Sequence, residues 1–408
     1  MATRRSLRIA NRSCPAEREE HEEWRDWASL PVDMVGKIAD LVLDDDLQGF
    51  IRLRAVCKPW MAATPNPAAL GPQIDHRFHP RRWMMIIERH PAGGATLRRF
   101  LNIDTRKVIE VDLPWLATHT ETVVVGSARA PEGMLVLRDE LTLVVRLVNP
   151  LTRHVVDLPS LCTLAAQQLD GHSGPIPKEF RAGHKVEAAG FADRSTVVVY
   201  MRGIKAMAVA KPGDERWTRV EGFDRVLLSS FTFQSHFYCV VNNILNKVVM
   251  DPAGAAPPRL VAFAELHDRA VNMLSMVDDG GKLMLVCSTP QRCALLAHRQ
   301  PRLRLYELVL ELGTPTLRRV TDLGNDRAVF TGELGALLLP SIRYYHPSVT
   351  SNTMYFRFGP FQRYLGIQRM HTNNGSFTIS YAPMPQDDQA ATLVAHLLMC
   401  VTRVHRSA

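Results

Sequence analysis

The sequence predicts an α+β multidomain chain, in which a small all-α piece precedes an all-β, propeller-like domain of about six blades. Three observations predict it. Between Trp27 and Trp60 the apolar residues recur at steps of three and four, the spacing of a helix face. From Arg82 onward the chain falls into short strand-like runs separated by turn residues. Among those runs Val-Asp-Leu-Pro begins at Val111 and again at Val156, 45 positions apart, a period in the range of four-stranded propeller blades. The expected divisions are a disordered basic leader over 1–26, a helical domain over 27–72, a propeller over 76–385 and an amphipathic helix over 386–408.

The leader opens "MATRRSLRIANRSCPA", with four arginines and no acid, and reads as a solvated basic arm. An organelle transit peptide and a weak nuclear-import signal are its other readings. In the helical piece, Pro31 suits a first helical turn, where its missing N–H costs nothing, and Asp33 favours the positive end of the helix dipole. Met34, Val35, Ile38, Leu41 and Val42 then form one face. Asp44-Asp45-Asp46 interrupts it, and with Asp45 as N-cap, Gln48 stands where a capping-box partner reaches back. A second face runs Leu47, Phe50, Leu53, Cys57 and Trp60, with Pro59 expected to kink or end the helix. Chains below roughly 40 residues rarely fold alone. This piece therefore needs the following domain, as a cap on it, or a partner protein.

The ordered set Leu30, Pro31, Asp33, Ile38, Leu41, Asp46, Leu47, Arg54, Val56, Cys57, Lys58 and Trp60 closely resembles the F-box. The resemblance implies docking to a Skp-family adaptor and, through it, to the cullin of a ubiquitin ligase. It assigns the adaptor contacts to Leu30, Pro31, Val35, Ile38, Leu47, Leu53, Val56, Cys57 and Trp60. One departure is Met34-Val35-Gly36 where that family prefers a leucine run. Gly36 inside a helix costs about 1 kcal/mol relative to Ala, which would weaken adaptor binding.

Blade-sized groups can be drawn along the rest of the chain, over 82–114, 122–159, 184–221, 226–266, 271–323 and 328–382. Five hold four strand-like runs, and the first holds three, as when a propeller closes with a strand from the other end of the chain. Continuous apolar runs such as Thr196–Tyr200 and Leu283–Val286 fit strands covered on both faces. Neighbouring residues on a strand point to opposite faces, so Arg98-Arg99 and Arg318-Arg319 are expected on exposed or edge strands. The runs "RFHPRRWMM", "VRLVNPLTRHVVDLP", "VTDLGNDRAVFTGE" and "SNTMYFRF" resemble the kelch-like domain of cereal F-box proteins, called domain of unknown function 295. That resemblance implies a propeller-like architecture and no particular substrate. Beyond Pro385, Leu393, Leu397, Met399, Cys400 and Val404 share one helix face, expected to lie on the propeller.

Composition narrows the function classes. Hydrophobic residues are 46% and charged residues 22%, ordinary for a globular protein. No apolar run has the length of a membrane span. The net charge of +8 weakly favours acidic partners, yet the basic residues are scattered, which argues against a dedicated nucleic-acid binder. Seven cysteines without CxxC spacing suit a reducing compartment, in nucleus or cytoplasm. No phosphate-binding loop, nucleophile elbow or zinc-protease motif is present, and no cofactor or metal is expected. His76 and His79 lack a second ligand pair and read as exposed loop residues. Asp278-Asp279-Gly280-Gly281 reads as a hairpin turn.

A non-catalytic substrate-recognition subunit is the expected function. The connections Cys162–Lys185 and Ser288–Arg302 are the candidate substrate loops, with Arg292, Arg299 and Arg302 as contacts to an acidic motif. The alternatives are an enzyme on a propeller scaffold, or a non-ligase binding protein, organellar or nucleic-acid-associated, with a vestigial F-box.

Overall fold

The computed structural model describes residues 26–86, 96–118, 131–165, 178–266, 273–291, 300–311, 313–332, 335–339, 349–358, 364–370, 377–383 and 397–398. The expected leader up to residue 25 and most of the expected C-terminal helix lie outside the described residues.

Three short helices open the fold, α1 (Val32–Asp45), α2 (Leu47–Arg54) and α3 (Lys58–Ala63). Pro31 sits one position before α1 as its N-cap rather than inside the first turn, and its carbonyl accepts from the N–H groups of Met34 and Val35. The second apolar face is divided between two helices. Pro59 cannot sit in a helix interior but fits a first turn, so the chain breaks at Cys57 and restarts, with Pro59 near the beginning of α3. The N-cap of α2 is Asp46, not Asp45, and its carboxylate makes no cap hydrogen bond. Ala39, Leu47, Phe50, Leu53 and Phe78 form the buried core of this piece. Phe78 belongs to the segment His76–Phe78, which the sequence groups with the propeller. Gly36 stands inside α1 with open space where a Cβ would be. Gly36→Ala is therefore expected to stabilise the protein by about 1 kcal/mol, read as a higher urea midpoint.

The β domain consists of six sheets among the described residues. The first holds β1 (Trp83–Met85), β2 (Leu97–Asn102) and β3 (Val108–Asp112). The second holds β4 (Leu135–Arg138), β5 (Val144–Val148) and β6 (Val155–Ser160). Its expected first run, near Thr122, lies outside the described residues. β7 (Val186–Phe191), β8 (Val197–Met201), β9 (Ala206–Ala210) and β10 (Thr218–Arg219) make the third. The fourth is the antiparallel meander β11 (Ser229–Phe233), β12 (His236–Val241), β13 (Ile244–Val249) and β14 (Arg259–Glu265). The fifth repeats that order with β15 (Met273–Asp278), β16 (Leu283–Gln291), β17 (Gln300–Glu311) and β18 (Thr314–Val320).

Five strands make the sixth sheet. They are β19 (Ala328–Gly332), β20 (Gly335–Leu339), β21 (Thr353–Phe358), β22 (Tyr364–Met370) and β23 (Phe377–Pro383), in the order β20-β19-β21-β22-β23. β20 is additional to the four expected runs, and β19 pairs with β21 in parallel.

Six apolar seams join consecutive sheets into a closed ring. Leu135 and Phe100 meet between the first and second, and Val136 and Val199 between the second and third. Val198 and Phe237, then Tyr238 and Leu283, then Leu305 and Phe356 continue the series. The sixth seam, with Phe330 and Tyr355 against Met84 and Leu101, closes the ring. Leu397 and Leu398 are buried in it, in helical rather than strand conformation. The molecule is thus a six-bladed β-propeller preceded by helices. β8 shows why its sequence lacks alternation: Val197, Val199 and Met201 enter one seam, while Val198 and Tyr200 enter the next.

Arg318 lies on β18 at the edge of its sheet, as expected. Arg98 and Arg99 instead lie on β2, paired on both sides, where half-burial leaves their side chains a route to the surface.

Candidate functional site

The helical piece is unusual in what it exposes. Six of the twelve large apolar side chains exposed among the described residues fall between Trp27 and Met61: Trp27, Val32, Met34, Leu41, Val56 and Met61. Scattered exposed apolar residues are normal, and here half of them gather in one short stretch of the chain. Trp27 is fixed by a hydrogen bond from Trp60 Nε1 to its carbonyl oxygen, 2.9 Å. Arg54 holds the far end of α3 by donating to Thr64 and to the Pro65 carbonyl.

The nine adaptor-contact residues implied by the sequence divide into groups. Pro31 and Val56 are exposed, and Leu30, Ile38, Cys57 and Trp60 are half-buried. Val35, Leu47 and Leu53 are buried within the chain. Leu47 and Leu53 pack with Phe50 and Phe78, and Leu151 of the second sheet's last turn closes over the same cluster. Trp27, Met34 and Met61 are surface residues that the motif did not supply. Trp27 and Met61 stand off the expected apolar faces, whereas Met34 and Leu41 were placed on the first of them and are exposed instead.

The other side of the helical piece is bound to the propeller. Trp83 Nε1 of β1 donates to Asp46 Oδ1 at 2.7 Å, and Trp83 itself is buried. Asn149 Nδ2 donates to the carbonyl of Phe78 at 2.7 Å, and His154 Nε2 meets the carbonyl of Gly71 at 2.8 Å. Arg82 spans Asp104 at 2.6 Å and Asp45 at 3.5 Å, and Lys107 Nζ reaches Gln48 Oε1 at 3.2 Å. Gln48 thus faces the propeller instead of completing a capping box.

Three of these contacts come from a repeated turn. In "NIDTRK" Asn102 Oδ1 accepts from the N–H groups of Asp104 and Thr105, and Arg106 takes a positive φ of 62°. In "NPLTRH" Asn149 Oδ1 accepts from Leu151 and Thr152, and Arg153 has φ 61°. The recurrence of Asn-x-x-Thr-Arg was the sequence signal for this attachment, and composition-based reading passed over it.

A cleft of about 450 Å³ runs along the junction, with Asp40, Asp44 and Asp45 on one wall and His76, Arg77, Arg81 and Arg82 on the other. Near it His79 is buried, not exposed as its loop setting suggests. Its ring stacks on Phe191 with centroids 5.1 Å apart, and Nδ1 lies 2.6 Å from Glu132 Oε2. Burial alone would raise the Glu132 pKa. The hydrogen bond to His79 and the charges of His79 and Arg81 outweigh burial and pull it below the usual 4.5. A lowered carboxyl pKa adds stability above its ordinary value and loses it as pH falls through the lowered one. The stability gap between the native chain and Glu132→Gln is therefore expected to be full above about pH 4.5 and to close below it, measured by urea unfolding across acid pH.

The expected substrate arginines separate. Arg292 and Arg299 lie outside the described residues. Arg302 lies in β17, paired with Thr289, and its guanidinium stands 4.3 Å from the Phe377 ring centre in the sixth sheet. The connection Ser288–Arg302 is accordingly shorter than it reads, because β16 and β17 stay paired out to Gln291 and Gln300. Asp279 pairs with Arg327 at 2.5 Å beside the expected hairpin turn, bracing the fifth sheet against the start of the sixth. None of the four described cysteines is in a disulfide, and burial pushes the Cys239 thiol up to about 12, the behaviour of a small core hydrophobe. Among the described residues no group of three or more His, Cys, Asp or Glu is placed to hold a metal ion. No described helix is long and apolar enough to cross a membrane.

Residues 100–376, more than half of the chain, match the KIB1-4 β-propeller family. The chain belongs to this family. The KIB1-4 match begins within β2 and ends one residue before β23, so it covers most of the ring and leaves out β1, β23 and the helical piece. No curated protein gives a significant match. Among solved structures, hydrazine synthase of Kuenenia stuttgartiensis is similar at 11% identity, covering 72% of this chain and 90% of its own, with a TM-score of 0.30. The Swd1 β-propeller domain of Myceliophteria thermophila is similar at 10% identity, covering 74% and 86%, also at 0.30. Likeness at this level carries no argument about function.

Proposed function

We propose that this protein is the substrate-recognition subunit of an SCF-type ubiquitin ligase. In this reading the helical piece docks to a Skp-family adaptor, and the propeller binds a protein substrate. The chain does no chemistry itself; it raises the effective concentration of substrate lysines near the ubiquitin-charged enzyme. A propeller ring of this family supports a protein-interaction role. The observation that carries the finer reading is the concentration of exposed apolar side chains between Trp27 and Met61, in the stretch that resembles the F-box.

Co-purification with a Skp-family adaptor tests the proposal. The native chain is expected to retain the adaptor, and a Leu30→Ala/Pro31→Ala double variant to lose it. A folded native chain that captures no adaptor would remove the ligase reading.

One observation favours a second reading. Leu47 and Leu53, two of the motif's expected contacts, are already covered by the chain's own Phe50, Phe78 and Leu151. A non-ligase propeller binding protein with a vestigial F-box would be built in this way. Its discriminating result is the same failure of adaptor capture, with the exposed apolar surface then serving another partner.

A further inference from the structure

We infer that the helical piece and the propeller form one rigid body, clamped by the repeated turns of the first and second blades. The inference deepens the proposed function, because a rigid clamp would hold a partner on Trp27, Met34 and Met61 at a fixed angle to the ring. Three features of the junction support it.

The first is that two of its donors are buried. Trp83 and Asn149, which donate to Asp46 and Phe78, are 2% exposed, so their hydrogen bonds are shielded from water. Losing one partner of such a bond leaves a buried polar group unsatisfied. The second is its breadth. His154 fixes Gly71, Asn149 fixes Phe78, Trp83 fixes Asp46, and Arg82 and Lys107 reach Asp45 and Gln48. These anchors span Asp45 to Phe78 in the chain, too many points for a hinge. The third is a shared core, since Leu151 of the second blade completes the cluster around Phe50 and Phe78. Asp46 is the most telling residue. It occupies the N-cap position of α2 yet its carboxylate caps nothing, and it is spent entirely on Trp83.

Hydrogen exchange of the full chain, followed by mass spectrometry, tests this without any partner. In the native chain, amides of α1 and α2 should be protected to the same degree as those of β2 and β5. In an Asp46→Ala/Gln48→Ala variant, exchange over 32–54 should accelerate at least about tenfold, a loss of roughly 1.4 kcal/mol in local opening, while β8, β12 and β16 exchange as in the native chain. Both substitutions lie outside the propeller core, so the ring should fold. A second variant, Asn149→Ser, retains an oxygen acceptor for the turn but shortens the reach to Phe78, and should release the same helices. Fast exchange of α1 and α2 in the native chain would overturn the inference, as would unchanged helix protection in both variants. Because the readout needs no adaptor, failure of the ligase reading and failure of the clamp are separate outcomes.

Discussion

Gly366→Ala is expected to destabilise the protein by about 3 kcal/mol, near the upper end of overpacking costs in a filled core. Gly366 on β22 pairs directly with Phe356 on β21, and a Cβ added there would overlap the Phe356 ring. The ring lies over the glycine because that position has no side chain, an arrangement known to order aromatic–glycine pairs in sheets. It has nowhere else to go. Phe356 is fully buried in the seam between the fifth and sixth blades, with Val329, Leu338 and Met354 packed in the same cluster. Relief must therefore come from the backbone, and β22 would shift away from β21. The check is a cycle of unfolding measurements on Gly366→Ala, Phe356→Leu and the double variant. Each single change should be costly, and the double variant should cost less than the two combined, because the smaller side chain leaves room for the Cβ. Additive effects would mean that the strain lies elsewhere than in this contact.

The same blade shows where sequence reasoning ends. The ring was legible because each blade repeats a group of strands, and because strands covered on both faces lose alternation, as β8 and β16 do. Gly335–Leu339 was missed for a related reason. Its five residues are all apolar or glycine, a run as consistent with a buried helical turn as with a strand. Nor could any local pattern announce that β19 would pair in parallel with β21, since that pairing follows from β20 lying on the far side of β19 from β21. In the helical piece, periodicity found every buried position of α2 but joined α2 to α3, because an apolar step across Cys57 looks the same whether or not the helix continues. The proposed docking residues were legible as a motif and only partly as a surface. A motif specifies residue types and spacing; which of them the rest of the chain will cover depends on Phe78 and Leu151, remote in sequence. His79 was misplaced in the same way, since its burial is set by an aromatic partner, Phe191, that the sequence does not put beside it.

That distinction between motif and surface yields the second large effect. Met61→Asp is expected to lower adaptor binding at least about tenfold, the loss typical of a charge placed in a buried interface core. It should leave stability unchanged, because half of the Met61 surface is open to solvent. Leu53→Ala is expected to do the reverse in origin. It lowers stability by about 2–5 kcal/mol, as deletion of buried methyl groups does, and affects adaptor capture only through the fraction of chain unfolded. Adaptor binding by isothermal titration, paired with urea unfolding of each variant, separates the two. If Leu53→Ala, assayed well below its unfolding midpoint, lost binding while Met61→Asp kept it, the contact surface would have to be the motif's buried stripe. The helices would then have to leave Phe78 and Leu151 in order to dock. If Met61→Asp alone loses binding, the exposed residues are the contact, and the buried leucines of the motif serve to hold that surface on the propeller.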